Sequence, residues 1–139
     1  MDFTARNPYQ LDEKKRVPMP PRFRGAFDGP AVLTTGRDQC IEVYTLQAFD
    51  EAAAKLKAVA DTGTKEGRQR YRWFFGNANR VTRDTQGRLN IPETLIEYAA
   101  LTIREELVVV GMGEYFEIWD KKVLDAHESA MKAAMDTGE

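Results

Sequence analysis

The chain contains Asp12-Glu13-Lys14-Lys15-Arg16-Val17-Pro18-Met19-Pro20 near its start and Asp84-Thr85-Gln86-Gly87-Arg88-Leu89-Asn90-Ile91-Pro92 past its middle. Both stretches read Asp-x-x-x-Arg-apolar-x-apolar-Pro, and their aspartates are 72 positions apart. We call them the first and the second motif. A pattern of this length that occurs twice indicates a duplication within the chain.

The similarity continues downstream of both motifs. The matching blocks are Val32-Leu33-Thr34-Thr35-Gly36 with Leu107-Val108-Val109-Val110-Gly111, and Ile41-Glu42-Val43-Tyr44 with Phe116-Glu117-Ile118-Trp119. These blocks are 75 positions apart, so three residues were gained or lost between the copies. Because the blocks recur in the same order, the sequence predicts two tandem repeats of one unit.

The length of the chain favours one body built from both repeats. The 139 residues suffice for an ordinary domain, whereas a single repeat of roughly 70 residues would be marginal. We therefore predict a pseudo-symmetric α+β body with a first repeat at 1–63, a connecting helix at 64–78 and a second repeat at 79–139.

Hydrophobic periodicity predicts the same elements in both repeats. In the second, alternation in 79–83 and 89–91 around the Asp84 to Gly87 turn predicts a β-hairpin. A short helix should follow Pro92 and end near Ala100. A second hairpin is expected from 107–110 and 115–119, and then a helix with Asp120 as its N-cap.

The first repeat shows strands at 32–35 and 40–44 and then a helix. The apolar face expected for that helix consists of Leu46, Phe49, Ala53, Leu56 and Val59. A further helix from Lys65 to about Phe75 carries Tyr71, Phe74 and Phe75 at helical spacing. We interpret these aromatics as core residues in preference to a platform for stacked bases, while the arginines beside them are typical of a solvated face.

Residues with catalytic or metal-binding chemistry are sparse. Cys40 is the single cysteine and lies in a strand-like run, which favours a buried hydrophobe. His127 is the single histidine, so neither a metal cluster nor a Ser/His or Cys/His pair is supported. We expect no enzyme activity, no cofactor and no metal.

Membrane insertion and secretion are not expected. No stretch approaches the roughly 20 apolar residues that cross a bilayer, and the N-terminus lacks the apolar run of a signal peptide. We expect a cytoplasmic protein without a membrane partner.

Charge is segregated along the chain although the net charge is only −2. Residues 64–88 carry seven Lys or Arg against two acids, and residues 1–24 carry six against three. Residues 89–139 carry eleven acids against four cations. Positive charge around both motifs would steer a polyanion towards them.

The motif residues have side chains suited to reading DNA. A two-stranded ribbon fits the major groove, where arginine can bind guanine and glutamine can bind adenine. The candidate DNA-binding residues of the two motifs, with Arg83 beside the second, are Asp12, Lys14, Lys15, Arg16, Arg83, Asp84, Gln86, Gly87 and Arg88.

The aspartates admit two roles. Asp12 and Asp84 could each hold the arginine four residues on, or accept backbone N–H groups of the turn. Alternatively, the Asp-Arg pairs are only intramolecular ion pairs that fix a hairpin, worth about 1 kcal/mol or less when exposed.

With the second motif and the blocks 107–111 and 116–119, the chain resembles the MraZ family of bacterial transcription regulators. The resemblance implies a fold related to the AbrB/SpoVT swapped-hairpin or double-psi barrels, with flanking helices. It also implies ring-shaped homo-oligomers in the nucleoid that bind double-stranded DNA at direct repeats in the promoter of the division and cell-wall gene cluster. In that family the Asp-x-x-x-Arg segments are associated with DNA contact, which by position points to Asp12, Arg16, Asp84 and Arg88.

The first motif departs from this pattern at two positions. Lys15 stands where the second motif has Gly87, and a side chain in a left-handed turn costs about 1–2 kcal/mol. Pro18 stands where Asn90 does and removes a backbone donor. We expect a first hairpin that is shorter, differently turned or mobile, although Lys15 could add a phosphate contact. An oligomeric assembly protein with weakened DNA binding is therefore the alternative to a DNA-binding regulator.

Overall fold

A computed structural model describes residues 2–138. Its elements are β1 Arg6–Gln10, β2 Arg16–Pro18, α1 Pro21–Arg24, β3 Ala31–Thr35, β4 Ile41–Tyr44, α2 Leu46–Val59, α3 Lys65–Gly76, β5 Asn79–Val81, β6 Arg88–Asn90, α4 Glu93–Ala99, β7 Glu106–Gly111, β8 Phe116–Asp120 and α5 Lys121–Asp136.

The strands of the two repeats are interleaved in one antiparallel sheet. Its order is β1-β7-β8-β4-β3-β5, while β2 and β6 form a separate two-stranded sheet, the ribbon. Each repeat gives its first strand to the other, because β1 pairs with β7 and β5 pairs with β3. The predicted α+β class and the two repeats are confirmed.

A pseudo-two-fold axis relates the repeats. In the ribbon, Val17 lies opposite Leu89, and in the large sheet Glu42 lies opposite Glu117. Both pairs join equivalent positions of the two copies. The axis therefore passes through the middle of the ribbon and the middle of the large sheet.

The hairpins predicted at both motifs are wrong, because β2 and β6 pair with each other and not with a strand of their own motif. The segments 79–83 and 89–91 do not pair with each other, since β5 pairs with β3 and β6 pairs with β2. Alternation of apolar and polar residues identifies a strand but does not identify its partner. The β3–β4 and β7–β8 hairpins are confirmed.

The strand order of the large sheet has two ends, β1 and β5. No closed sheet is found within residues 2–138. The barrel implied by the family resemblance therefore stays a prediction.

The main core lies between one face of the large sheet and a layer made of the ribbon, α1 and α4. Val17 and Leu89 of the ribbon share this core with Phe23 of α1, Leu95 of α4 and Ile118 of β8. Burial of these side chains holds the ribbon against the sheet.

The opposite face of the sheet is covered by α2, α3 and α5. The ring of Tyr44 lies 5.9 Å from Phe49 of α2 and 6.1 Å from Phe74 of α3, measured between centroids. Trp119 of β8 and Leu124 of α5 lie in a second, smaller core. The ribbon and α3 are thus on opposite sides of the sheet, and the packing role expected for Phe74 is confirmed.

The helix termini follow the local sequence. The side chains of Thr45, Thr64 and Asp120 accept a backbone N–H at the starts of α2, α3 and α5. Ala100 ends α4 in a left-handed conformation. Leu46 and Val59, at the two ends of the predicted face of α2, are exceptions, because their side chains are exposed.

The structure also tests the expectations for Cys40 and for membrane-spanning helices. Cys40 is buried beside Trp119, as its strand-like context predicts. No helix in residues 2–138 is both long enough and apolar enough to cross a membrane.

Candidate nucleic-acid interface

The first motif forms a closed turn around Asp12. Its Oδ1 accepts the backbone N–H of Lys14 at 2.9 Å and of Arg16 at 2.8 Å. Its Oδ2 accepts Nε of Arg16 at 2.8 Å. Asp12 therefore fills both roles considered above, since it fixes the turn and holds the arginine.

The second motif repeats this geometry around Asp84. Its Oδ1 accepts the backbone N–H of Gln86 and of Arg88, both at 2.9 Å, and Oδ2 accepts Nε of Arg88 at 2.8 Å. In both turns the backbone N–H of the fourth residue also donates to the aspartate carbonyl at 2.9 Å. The two motifs therefore have the same hydrogen bonds at equivalent positions.

The expectation of a shorter or differently turned first motif is wrong. Lys15 has φ +62° and Gly87 has φ +79°, so both occupy the left-handed region. β2 and β6 each have three residues, and Pro18 of β2 lies opposite Arg88 of β6 in the ribbon. Hydrogen bonds to Asp12 offset the cost of a side chain at φ > 0.

The ribbon brings the two motifs together. The backbone N–H of Met19 donates to the carbonyl of Gly87 at 2.9 Å, and that of Ile91 donates to the carbonyl of Lys15 at 2.8 Å. Each motif is therefore hydrogen-bonded to the turn of the other. Nη1 of Arg16 lies 4.0 Å from Oδ2 of Asp84. Two Asp-Arg pairs therefore lie side by side about the pseudo-two-fold axis.

The arginines of the ribbon are bound by the aspartates, but their side chains stay partly exposed to solvent. The side chains of Arg16 and Arg88 are 24% and 27% exposed. The terminal amino groups of Arg88 have no hydrogen-bond partner within residues 2–138, because only its Nε is engaged. A guanidinium fixed at Nε can still donate from its outer edge to an acceptor in solution.

Hydrogen bonds favour the ionised form of both aspartates. The backbone N–H and Nε of Arg88 and the backbone N–H of Gln86 lower the pKa of Asp84. Partial burial alone would raise the pKa of Asp12, but the hydrogen bonds from Arg16 and Lys14 outweigh it, so that this pKa is also lowered. Both carboxylates are therefore charged at neutral pH.

The other candidate residues differ in their surroundings. Lys14 and Gln86 are exposed at the corners of the two turns. Nζ of Lys15 is paired with Glu93 of α4. Arg83 donates to the carbonyl of Phe27 at 3.1 Å, a contact with its own fold.

Arg24 belongs to this surface, although the sequence did not single it out. A Cβ added to Gly87 would lie 2.3 Å from Cζ of Arg24, so this guanidinium rests on the second turn. Its Nε donates to the carbonyl of Met19 at 3.0 Å. The glycine in the second motif leaves the space that Arg24 fills, a relation that no spacing in the sequence indicates.

The positive segment 64–88 is divided between two layers. Arg88 lies in the ribbon, whereas Lys65, Arg68, Arg70 and Arg72 lie on α3, across the sheet. The predicted concentration of charge around the motifs is therefore only partly correct. Among residues 2–138, no group of three or more Cys, His, Asp or Glu could hold a metal ion.

Comparison with known proteins gives a consistent result. The family profile described as "MraZ protein, putative antitoxin-like" matches residues 3–70 and 74–137. A protein named "Transcriptional regulator MraZ" from Clavibacter michiganensis subsp. michiganensis (strain NCPPB 382) is 37% identical over 138 residues, which cover 99% of this chain and 94% of that protein. A protein of the same name from Clavibacter sepedonicus gives the same identity and coverage. With both repeats matched and nearly full-length relatives, the chain belongs to the MraZ family.

Proposed function

We propose that this protein is a sequence-specific DNA-binding transcriptional regulator that contacts DNA through the ribbon and its two turns. The observation that supports this most directly is the pair of Asp-Arg units with the same geometry on one surface. The regulatory names of the relatives point the same way.

The residues of the ribbon and its turns would have different roles in DNA binding. Arg88 and Gln86 are the proposed base-reading residues, because arginine and glutamine recognise guanine and adenine in the major groove. Lys14 and Arg16 would contact phosphates and bases from the first turn. Asp12 and Asp84 would position the arginines without touching DNA themselves. Lys15 and Arg83, which have partners within the fold, would contribute mainly charge.

The finer expectations from the family resemblance belong to the same proposal. The target would be direct repeats in the promoter of the division and cell-wall gene cluster, bound in the cytoplasm at the nucleoid. The chain would close into an AbrB-like barrel with repeats at 1–63 and 79–139, and would assemble into a homo-oligomeric ring. Light scattering at micromolar concentration tests the ring, and a monomer there would remove it from the proposal.

Binding to the promoter of its own operon tests the main proposal. Fluorescence anisotropy should show at least tenfold tighter binding to the promoter repeats than to a scrambled duplex of equal length, since specific sites usually exceed non-specific ones by more than this. Equal affinity for the scrambled duplex, or no binding at low salt, would refute it.

Substitution of Arg88 should separate base reading from general charge. Arg88→Ala should weaken promoter binding by about 1–3 kcal/mol, whereas Arg68→Ala on α3 should change it little. Because Arg88→Ala also removes an Asp84 contact, Gln86→Ala provides a second variant with an exposed side chain. Comparable losses for the Arg68 and Arg88 variants would mean that net charge drives binding.

One observation favours the alternative of an assembly protein. The arginines of both motifs are about three-quarters covered and paired with aspartates of the same fold. These contacts would suit a purely structural ribbon. Intact oligomers that bind neither promoter nor scrambled DNA would support this second function.

A further inference from the structure

A cavity of about 670 Å³ lies on the side of the sheet opposite the ribbon. It is bounded by α2 and α3, by residues of β4 and of the β3–β4 and β7–β8 connections, and at its edge by Tyr98 of α4. Its volume falls within the range of small-molecule sites in proteins, which are mostly apolar with a few convergent polar groups. Nothing in the proposed DNA contact uses this space.

Glu42 supplies a buried carboxylate to the lining of this cavity. Its side chain is 3% exposed, and its Oε1 accepts the hydroxyl of Tyr44 at 2.6 Å. Glu117 is also buried and lies directly across from it in the sheet. Burial and the neighbouring charge of Glu42 raise the pKa of Glu117, which favours its neutral form, and Glu117 does not line the cavity. Glu42 is therefore the buried carboxylate that the cavity presents to a ligand.

The cation that faces Glu42 is held loosely. Nε of Arg37 lies 3.7 Å from Oε2 of Glu42, and the Arg37 side chain is 76% exposed. The guanidinium also donates from Nη2 to the hydroxyl of Tyr115 at 3.1 Å. The backbone N–H of Arg37 donates to Oε2 of Glu42 at 3.3 Å and would keep that contact if the side chain moved away. A long exposed side chain in such a pair is readily displaced.

Aromatic side chains line the same space. Tyr44 is stacked on Tyr115 at 5.1 Å and lies 6.1 Å from Phe74, while Trp73 is 54% exposed at the solvent side. The faces of aromatic rings attract cations, most strongly where water is excluded. An aromatic lining with a buried carboxylate is therefore complementary to an organic cation.

The remaining charged groups of the lining lie in solvent. Lys55 and Glu114 are 3.6 Å apart and both more than 70% exposed, and Arg70 is exposed. Water and salt screen such charges far more than the buried carboxylate. The buried group therefore decides the sign of the ligand.

We propose that this cavity binds a small organic cation, an ammonium on an aromatic or alkyl body, whose charged group takes the place of the Arg37 guanidinium at Glu42. The body of the ligand packs between Trp73 and the apolar side chains of α2. The site is separate from the ribbon, so binding requires no DNA.

Two probes of similar size and opposite charge test the sign of the site. The full-length ¹⁵N-labelled protein is titrated with 4-phenylbutylammonium and, separately, with 4-phenylbutanoate, and amide shifts are followed by NMR. The ammonium should bind saturably with a Kd of about 1 mM or below, as expected for a ligand of about ten heavy atoms. The shifts should be centred on residues 35–44 and 70–74. Absence of ammonium binding, or equal or tighter binding of the carboxylate, overturns the proposal.

Two variants then test the residues. Glu42→Gln should weaken ammonium binding about tenfold or more, because a charge-assisted contact is lost. Since Glu42 is buried and its variant could unfold, Trp73→Ala provides a test at an exposed position, with an expected loss of about threefold to tenfold. Met131→Ala, an exposed apolar side chain on α5, is the matched control and should bind as the parent does. Unchanged affinity in Trp73→Ala, or in a folded Glu42→Gln, overturns the proposal.

Discussion

At the scale of single residues, the turn of each motif has a left-handed residue at an equivalent position. Gly87 adopts φ +79° without a side chain, and Lys15 adopts φ +62° with one. Gly87→Ala should therefore lower the free energy of unfolding by about 1–2 kcal/mol. An added Cβ must also displace the guanidinium of Arg24. Urea denaturation measures the change.

Lys15→Ala is the matched control for that substitution. Lysine and alanine both carry a Cβ at this φ, so the free energy of unfolding should change by no more than about 0.5 kcal/mol. Equal losses in Gly87→Ala and Lys15→Ala would show that adding a Cβ at positive φ does not cause the loss in Gly87→Ala.

The aspartates of the motifs should make the free energy of unfolding depend on pH in the acid range. The folded-state pKa values of Asp12 and Asp84 are lowered, so the unfolded chain binds protons at higher pH than the folded one. Their contribution is complete well above the unfolded pKa of about 3.9. It should decline as the pH falls below about 4 and through the folded-state values.

Denaturation by urea at pH 3 and pH 7 checks this dependence. The double variant Asp12→Asn/Asp84→Asn should lose less stability between the two pH values than the parent, since its motif carboxyl groups are gone. The variant Asp2→Asn serves as a control with an exposed acid outside both motifs. An equal pH dependence in the parent and the double variant would assign acid sensitivity to other carboxyl groups.

At the scale of elements, the ribbon connects the two repeats through its buried residues. Leu89 is 1% exposed and lies opposite Val17 in the main core. Leu89→Ala should lower the free energy of unfolding by about 2–5 kcal/mol. Because β1, β5 and the ribbon all join one repeat to the other, unfolding should stay a single transition.

Circular dichroism and tryptophan fluorescence, recorded in the same denaturation, measure that cooperativity. The two curves should coincide for the parent and for Leu89→Ala. Met135→Ala on α5, which is 69% exposed, should leave stability within about 0.5 kcal/mol. Two separate transitions would mean that the repeats unfold independently despite the exchanged strands.

The sequence predicted the elements more accurately than their partners. Asp120 was predicted as an N-cap because the relevant hydrogen bond is local, three residues along the chain. The pairing of β6 with β2 was not predicted, since it joins residues 70 to 74 positions apart whose alternation would fit several strands. Arg24 was missed for the same reason, because its contact with Gly87 exists only after the ribbon has formed.

At the scale of the whole molecule, the sheet separates two groups of positive charge. The ribbon and its first turn carry Arg16, Arg88 and Lys14 on one side, and α3 carries Lys65 and its arginines on the other. A rigid duplex that lies against the ribbon of a chain cannot at the same time lie against α3 of that chain. The two groups should therefore contribute differently to binding, although they are adjacent in sequence.

The salt dependence of promoter binding distinguishes the two groups. Each phosphate contact contributes about 0.9 to the slope of log K against log salt concentration. Lys14→Gln removes an exposed charge at the first turn without touching the hydrogen bonds of Asp12, which come from the backbone of Lys14 and from Arg16. It should make the slope shallower by about one for each engaged chain. Lys65→Gln on α3 removes the same charge from the far side and should leave the slope unchanged. If both variants shift the slope equally, DNA is attracted by the net charge of the molecule and the ribbon is not its docking surface.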